Sequence, residues 1–195
     1  MKKLAVFGGG GHGCSCIDVI EAHGDFIIEA VIEQKEFGKA VLCGYPVREE
    51  SENLEELRQQ VPNGLIGIGQ VKDAEPRRRL FQRLRKLGFE FPVIVSPTAY
   101  VSKRATVGAG TIVMHGAVVN AGATIGENCI INSQALVEHG VSVGHHCHVS
   151  TGAKINGDCV LGDKVFVGSG AVIFNSIRVS DGALVPALSV IKQDV

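Results

Sequence analysis

The chain of 195 residues has no tryptophan and only two tyrosines, so burial has to come from aliphatic side chains and the eight phenylalanines. No stretch reaches the roughly 18 apolar residues that a membrane-crossing helix needs. The start, MKKLAVFGGGGHG, is basic, but its apolar part is only Leu4 to Phe7, too short for the core of a secretory signal. Strong positive charge is missing as well, since the formal net charge is -1. The nearest thing to a basic patch is Arg77, Arg78, Arg79, Arg83, Arg85 and Lys86. Acidic and apolar neighbours interrupt it, and helical spacing spreads it round a solvated face, which argues against nucleic acid as a partner. The six cysteines fit no disulfide framework. Without an export signal they read as reduced thiols of a cytoplasmic protein.

What is present falls into two grammars that change near residue 94. Residues 1–94 carry 13 of the 19 Lys and Arg and 14 of the 20 Asp and Glu, and Pro92 and Pro97 flank the join. Such a shift predicts two domains, 1–94 and 95–195. The first alternates apolar runs with helical patterns. Strands are expected at Leu4 to Phe7, Phe26 to Ile32, Leu65 to Ile68 and Phe91 to Val95. Helices are expected over 14–23, over 52–60, and over 73–87 with Leu80, Leu84 and Leu87 on one side. Gly38 to Val47 reads as irregular or as a short edge hairpin. Alternation of this kind predicts a small parallel α/β domain.

From Val95 the chain divides into fifteen consecutive hexads, VSPTAY to VSDGAL, ending at Leu184. Each begins with Val, Ile or Leu, the fifth residue is small or apolar, and the fourth is Gly in seven of them. A period of six is incommensurate with a helix but keeps one face of a strand inward. Gly and Asn tolerate positive φ, so corners are expected at the fourth position. Gly108, Gly126, Gly144 and Gly162 recur every eighteen residues, as do Cys129 and Cys147. Three hexads per coil would stack these residues in lanes, which predicts a parallel β-helix of five coils.

Residues 137–148, VEHGVSVGHHCH, hold four histidines. A metal site needs at least three converging ligands. With lanes eighteen residues apart, His115 stacks on Ser133, His139 on Ala121 and Gly157, and His148 on Ile130 and Phe166, so no lane repeats a histidine. No metal is expected, although the spacing leaves open ligands shared between chains. Cys129, Cys147 and Cys159 occupy inward fifth positions. His145 and His146 read as solvent-facing.

The turn GGGGHG, residues 8–13, lies between the first strand and the first helix. There Gly8, Gly10, Gly11, His12 and Gly13 could admit the phosphates of a nucleotide-linked substrate to backbone N–H groups at a helix start. Glu33, twenty residues after Gly13, is placed to take a ribose or base hydrogen bond. GIGQ, with Gly69 and Gln70, follows the third strand as a second loop at the same sheet edge, and Arg77 is a further candidate for phosphate. A nucleotide sugar suits so small a domain better than a dinucleotide.

FGGGGHG, GYPV at 44–47, GIGQ at 67–70 and INSQALVEHGVSVGHHCHVSTGA together resemble the hexapeptide-repeat sugar acetyltransferases of the sialic-acid O-acetyltransferase and bacillosamine N-acetyltransferase type. The resemblance implies a Rossmann-like N-terminal domain and a left-handed β-helix. It also implies a homotrimer with acetyl-CoA bound in the groove between neighbouring β-helices. It places the catalytic base on His139, a donor-side histidine on His148 and the preceding asparagine on Asn132, with Gly168 and Gly170 as further coenzyme contacts. As a general base, an imidazole titrating near about 6.5 can take the acceptor's proton at neutral pH. Relatives carry an acidic residue directly after the base. Gly140 stands there in this chain, which leaves Glu138, a backbone carbonyl or another subunit to orient the ring. His139 and His148 are half a coil apart, so a site using both would draw them from adjacent subunits. The ending DGALVPALSVIKQDV lacks the usual coenzyme-touching tail, so part of that contact set is expected to be absent.

The expected activity is N-acetylation of a nucleotide-linked 4-amino-deoxysugar for a surface glycan. The nearest rival is O-acetylation of a sialic-acid-type sugar. A metal-dependent β-helix hydratase and a non-catalytic scaffold are more distant.

Overall fold

The computed structural model describes residues 1–33, 38, 40–49, 53–71 and 73–195. Lys39 of the expected hairpin and Glu52 of the expected second helix lie outside the described residues. The chain forms two compact units, one of residues 1–69 and 75–94, the other of residues 70–74 and 95–195.

In the first unit the elements run β1 (Lys2–Phe7), α1 (Gly11–His23), β2 (Phe26–Glu33), β3 (Val41–Leu42), β4 (Tyr45–Glu49), α2 (Leu54–Gln60), β5 (Asn63–Ile66) and α3 (Glu75–Lys86). The sheet order is β3-β4-β2-β1-β5, parallel except for the β3–β4 hairpin. The chain places β2 on one side of β1 and β5 on the other, so loops part above the carboxyl end of β1 and open a crevice there. Helix α1 begins three residues before its expected start, because Gly10 and Gly11 enter the first turn. It buries Cys16, Ile17, Val19 and Ile20, and it stops at Gly24, whose φ of 81° only glycine adopts cheaply. Asn53 caps α2, its Oδ1 accepting the N–H groups of Glu55 and Glu56. Helix α3 departs from expectation. Of the three leucines on one side only Leu84 is buried, and Arg77 and Phe81 take the other inward places. Phe81 sets this face by packing on Phe91, ring centroids 4.6 Å apart. The third strand ends at Ile66, two residues before expected, because the chain leaves the sheet after Gly67 donates to the Phe7 carbonyl.

The second unit is a parallel β-helix. Two-residue strands recur every six residues from β6 (Ile94–Val95) to β22 (Val190–Ile191). Each pairs with the strand eighteen residues on, for example Val118 with Leu136, giving three sheets of six, five and six strands. β13 (Leu136–Val137), β14 (Ser142–Val143) and β15 (His148–Val149) lie one on each sheet. First and fifth residues fill the interior. Val119, Ile131, Val137, Val149 and Ile155 are fully buried together with Ala135, Cys147 and Cys159. Each fully buried aliphatic of this size contributes about 1.5–3 kcal/mol, which drives the coil to close.

Every fourth residue from Gly110 to Leu188 has positive φ, including Gln134, Lys164 and Leu188. Glycine and asparagine were expected at such corners. Other residues hold them because stacking returns energy. The N–H of Gln134 donates to the His115 carbonyl at 2.9 Å, and that of Lys164 to His145 at 2.7 Å. These bonds offset a left-handed cost of about 1–2 kcal/mol per residue. The glycine lane at the second position has a different cause. A Cβ on Gly126 would stand 2.6 Å from the carbonyl oxygen of Gly144, and one on Gly108 would be 2.6 Å from Gly126. Coils approach too closely there for any side chain. The β-helix also runs one hexad beyond the expected end at residue 184. VPALSV, residues 185–190, turns its corner at Leu188 and pairs through β22.

Candidate active site

His139 is exposed at the corner that leads from β13 to β14. The residues stacked on it, Ala121 and Gly157, are the smallest available, so the imidazole has room on both sides. Its main chain is fixed twice. Its N–H donates to Oε2 of Glu138 at 3.0 Å, and its carbonyl accepts from Asp158 N–H at 3.0 Å. Asn120 donates to the same Glu138 oxygen at 2.9 Å. Glu138 therefore steadies the backbone of residue 139, not its ring. The ring lies against Gly157, where a Cβ would come within 2.7 Å of Nε2 and 3.1 Å of Nδ1.

His148 is placed very differently. It begins β15 on another sheet and is only 6% exposed. Oδ1 of Asn132 accepts the N–H of Ser133 at 2.8 Å, which fixes the amide so that Nδ2 donates to Nε2 of His148 at 3.1 Å. With its lone pair on Nε2, the ring carries its proton on Nδ1, which donates to the carbonyl of Gln70. Phe166 meets the ring edge-on at 5.3 Å. Gln70 itself is 3% exposed and belongs with the β-helix. Gly168 and Gly170 have structural reasons for being glycine. A side chain on Gly168 would enter the backbone at Ala187, and Gly170 turns a corner at φ 68°.

The other histidines cap coils. Nδ1 of His145 accepts the N–H of Glu127 at 3.0 Å, and His145 N–H donates to Asp163 at 2.7 Å. His115 bonds Ser96 at 2.7 Å, and Ser96 is buried. Among the described residues no three His, Cys, Asp or Glu side chains converge as metal ligands. The six cysteines are all free thiols. Burial pushes the Cys159 thiol up, and a hydrogen bond to Cys129 together with burial pushes Cys147 up, so both are unreactive in the coil interior.

In the first unit, the glycine loop packs backbone against backbone. Side chains at Gly13 or Gly67 would collide with the Gly8 carbonyl, whereas Gly10 and Gly11 face open space. No side chain caps α1, so its first turn presents N–H groups outward. Glu33 reaches into this loop and its Oε2 accepts the N–H of Gly9 at 2.6 Å. His12 lies against Gly69, and its Nε2 is 3.4 Å from the sulfur of Cys16. A cavity of about 230 Å³ opens beside the loop, with Phe7, Ile32 and Ile68 as apolar walls and Glu33, Arg79 and Arg83 as its charged groups. Flat apolar walls, one carboxylate and two guanidinium groups suit a nucleotide. Arg77 is not among them. It is fully buried and its Nη1 donates to the carbonyls of Ile66 and Ile68, which pins the GIGQ loop and keeps the guanidinium away from a phosphate at the surface.

Stacking at eighteen residues also brings Asn120, Gly157 and Asp158 to the His139 corner. Sequence reading placed Gly157 in that lane without assigning it a role and overlooked the other two, although the period that would have found them was already known.

A parallel β-helix of hexads joined to a small α/β unit with a glycine-rich nucleotide-type loop defines a class, the hexapeptide-repeat transferases with an N-terminal sugar-nucleotide domain. Residues 3–84 match the PglD N-terminal domain family, and residues 104–139 match the bacterial transferase hexapeptide family. Over 118 residues the chain is 35% identical to UDP-N-acetylbacillosamine N-acetyltransferase of Bacillus subtilis (strain 168). That match spans 58% of this chain and about half, 52%, of the curated relative. Among solved structures, the acetyltransferase domain of PglB from Neisseria gonorrhoeae FA1090 is 29% identical, with a TM-score of 0.90 over 100% of this chain and 93% of that one. PerB from Caulobacter crescentus, solved with CoA and GDP-perosamine, is 28% identical, with a TM-score of 0.91 over 100% of this chain and 91% of that one. Residues 3–84 thus carry a PglD-type N-terminal domain and residues 104–139 the bacterial transferase hexapeptide repeat, and over its whole length the chain shares the fold of the PglB acetyltransferase domain and of PerB.

Proposed function

We propose that this protein transfers the acetyl group of acetyl-CoA to the 4-amino group of a nucleotide-linked deoxy-amino sugar. The observation that carries this reading is the whole-chain likeness to a protein solved with CoA and GDP-perosamine. His139 is the general base, exposed and flanked by Ala121 and Gly157. It takes a proton from the sugar amine as the nitrogen attacks the thioester carbonyl. The tetrahedral intermediate then collapses, the C–S bond breaks, and the departing sulfur takes the proton held by His139, so coenzyme A leaves as its thiol. Backbone N–H groups or a polar side chain facing the carbonyl oxygen would stabilise its charge.

The nucleotide belongs in the cavity of the first unit, with phosphates at Gly10, Gly11 and the start of α1. Glu33 would release the Gly9 N–H and turn to the ribose or base. His12 and Gly69 take the sugar side, whereas the buried Gln70 is held by His148. His148 and Asn132 act as a paired unit that orders the coil and the segment at Gln70. Gly168 and Gly170 keep the coil backbone open for the coenzyme.

Assembly as a homotrimer with sites between subunits is supported by an apolar stripe on the sheet that contains β13. Tyr100 and Val190 are exposed there, with Val118, Leu136 and Val172 half-buried between them, and the exposed Lys154 interrupts the stripe between Leu136 and Val172. No helix among the described residues is long and apolar enough to cross a membrane. Cytoplasmic residence remains an expectation, favoured by the free cysteines.

The test is coenzyme A release from acetyl-CoA in the presence of UDP-, dTDP-, GDP- and CMP-linked amino sugars and free sialic acid. Turnover with one nucleotide-linked amino sugar, reduced about 10²–10⁴-fold in His139→Ala, is the expected result. Turnover only with free sialic acid would replace N- by O-acetylation, and an unaffected His139→Ala would remove the assigned base.

A further inference from the structure

His139 is left without a charged partner for its ring by its own hexad. Glu138 is engaged by Asn120 and by the His139 backbone, and residue 140 is glycine. The space that a side chain at 140 would fill is nonetheless occupied. A Cβ built on Gly140 would collide with Oδ1 of Asp158, one coil further along. The Asp158 N–H already binds the His139 carbonyl at 3.0 Å, so the carboxylate is anchored beside residues 139 and 140. Asp158 is itself at a corner, with φ 61°, and is exposed.

Gly157 supplies the second observation. Most glycines of the β-helix are explained either by positive φ or by the backbone of the next coil. Gly157 has neither reason. Its φ lies outside the left-handed region, and the atoms nearest to a built Cβ are three atoms of the His139 ring. It is a glycine because the imidazole rests on it. An alanine there would strain no backbone and would push the ring away.

We propose that Gly157 and Asp158 are the positioning residues of His139, Gly157 as the seat of the ring and Asp158 as the carboxylate that steadies the imidazolium. This rests on the function proposed above. The groups around residue 139 are Glu138 on its own coil, Ala121 in its lane on the coil before, and Gly157 and Asp158 on the coil after; Gly157 meets the ring itself, and the Asp158 carboxylate stands against Gly140. Asp158 is the one carboxylate among them that no hydrogen bond ties elsewhere. When the ring takes the amine's proton, the new positive charge forms beside this carboxylate. No hydrogen bond joins the two in the resting structure; such contacts commonly tighten only when substrate is bound. The acid needed beside the base has thus been supplied from the neighbouring coil.

The proposal is tested by moving the charge. Asp158→Gly keeps a residue that accepts positive φ and removes the carboxylate, and kcat should fall about 10- to 100-fold, with KM for acetyl-CoA within about twofold. The double variant Asp158→Gly with Gly140→Asp returns a carboxylate to the same space from the adjacent residue and should recover most of the loss. A purely structural Asp158 would not be rescued in this way. Gly157→Ala should lower kcat by a similar factor with an unchanged melting temperature. Activity of Asp158→Gly within twofold of the parent, or a double variant as slow as the single, overturns the proposal. A readout independent of acetyl transfer separates this failure from failure of the function. In protein labelled with ¹⁵N-histidine, the His139 ring-nitrogen signals, identified by their loss in His139→Gln, should move in both Gly157→Ala and Asp158→Asn at fixed pH. Unmoved signals in both variants overturn the positioning claim even if the protein proves to have another activity.

Discussion

Asn132 holds His148 in a single tautomer: its Nδ2 donates to Nε2 at 3.1 Å, while its Oδ1 is committed to the Ser133 N–H at 2.8 Å. The proton left on Nδ1 is what ties the Gln70 carbonyl to the coil. His148 is thus buried and bonded at both nitrogens, whereas His139 is exposed and unbonded at both.

This contrast separates two losses that an activity assay alone would merge. His148→Ala leaves the Gln70 carbonyl and the Asn132 amide without partners and should cost about 1–3 kcal/mol of stability. His139→Ala should change stability by no more than about 0.5 kcal/mol while removing turnover. Urea unfolding of the two variants checks this, and equal stability losses would contradict it.

Two kinds of glycine predict two sizes of effect. Gly126→Ala forces a methyl group to 2.6 Å from the Gly144 carbonyl and should cost more than about 2 kcal/mol, or prevent folding. Gly122→Ala meets nothing closer than 3.7 Å and is opposed only by its φ of 77°. It should cost about 1–2 kcal/mol. Thermal melting of both variants provides the comparison, and the reverse order would refute the steric account of the lane.

Glu33 offers a test of the nucleotide cavity. With the carboxylate turned to the ribose or base in the complex, Glu33→Gln should raise KM for the nucleotide sugar about tenfold, a loss of roughly 1.4 kcal/mol, and leave kcat within about twofold. An unchanged KM would mean that the carboxylate only closes the glycine loop, as it does in the free protein through Gly9.

Cys16 sets an alkaline limit. Burial, opposed in part by Arg77, pushes its thiol from 9.0 up to about 12. The unfolded chain ionises first, so stabilisation by the protonated thiol is complete below pH 9 and is lost as pH rises towards 12. Stability should fall by about 1 kcal/mol per pH unit across that window. Cys16→Ala should flatten this slope, as measured by urea unfolding at pH 8, 9 and 10. An unaltered slope would assign the alkaline loss to other groups.

The β-helix was legible because its grammar is local and periodic. Val, Ile or Leu at every sixth residue can mean little else, and the lanes at eighteen follow by arithmetic. Helix α3 was misread by one position because two leucines and a phenylalanine compete for one face. Phe91, beyond the end of the helix, decides which of them turns inward. Arg77 was misread for the same reason, since nothing local says that two carbonyls of the β5 loop wait for its guanidinium.

The sequence by itself determined the two-part architecture, the coil height and the position of His139, because period and composition act along the chain. Only the tertiary structure decided that Glu138 serves the backbone, that His148 is buried and spent, that the His139 ring rests on Gly157, and that the Asp158 carboxylate stands against Gly140. Those relations cross from one coil to the next, where closure of the β-helix places residues eighteen positions apart within bonding distance and leaves sequence neighbours facing different sides.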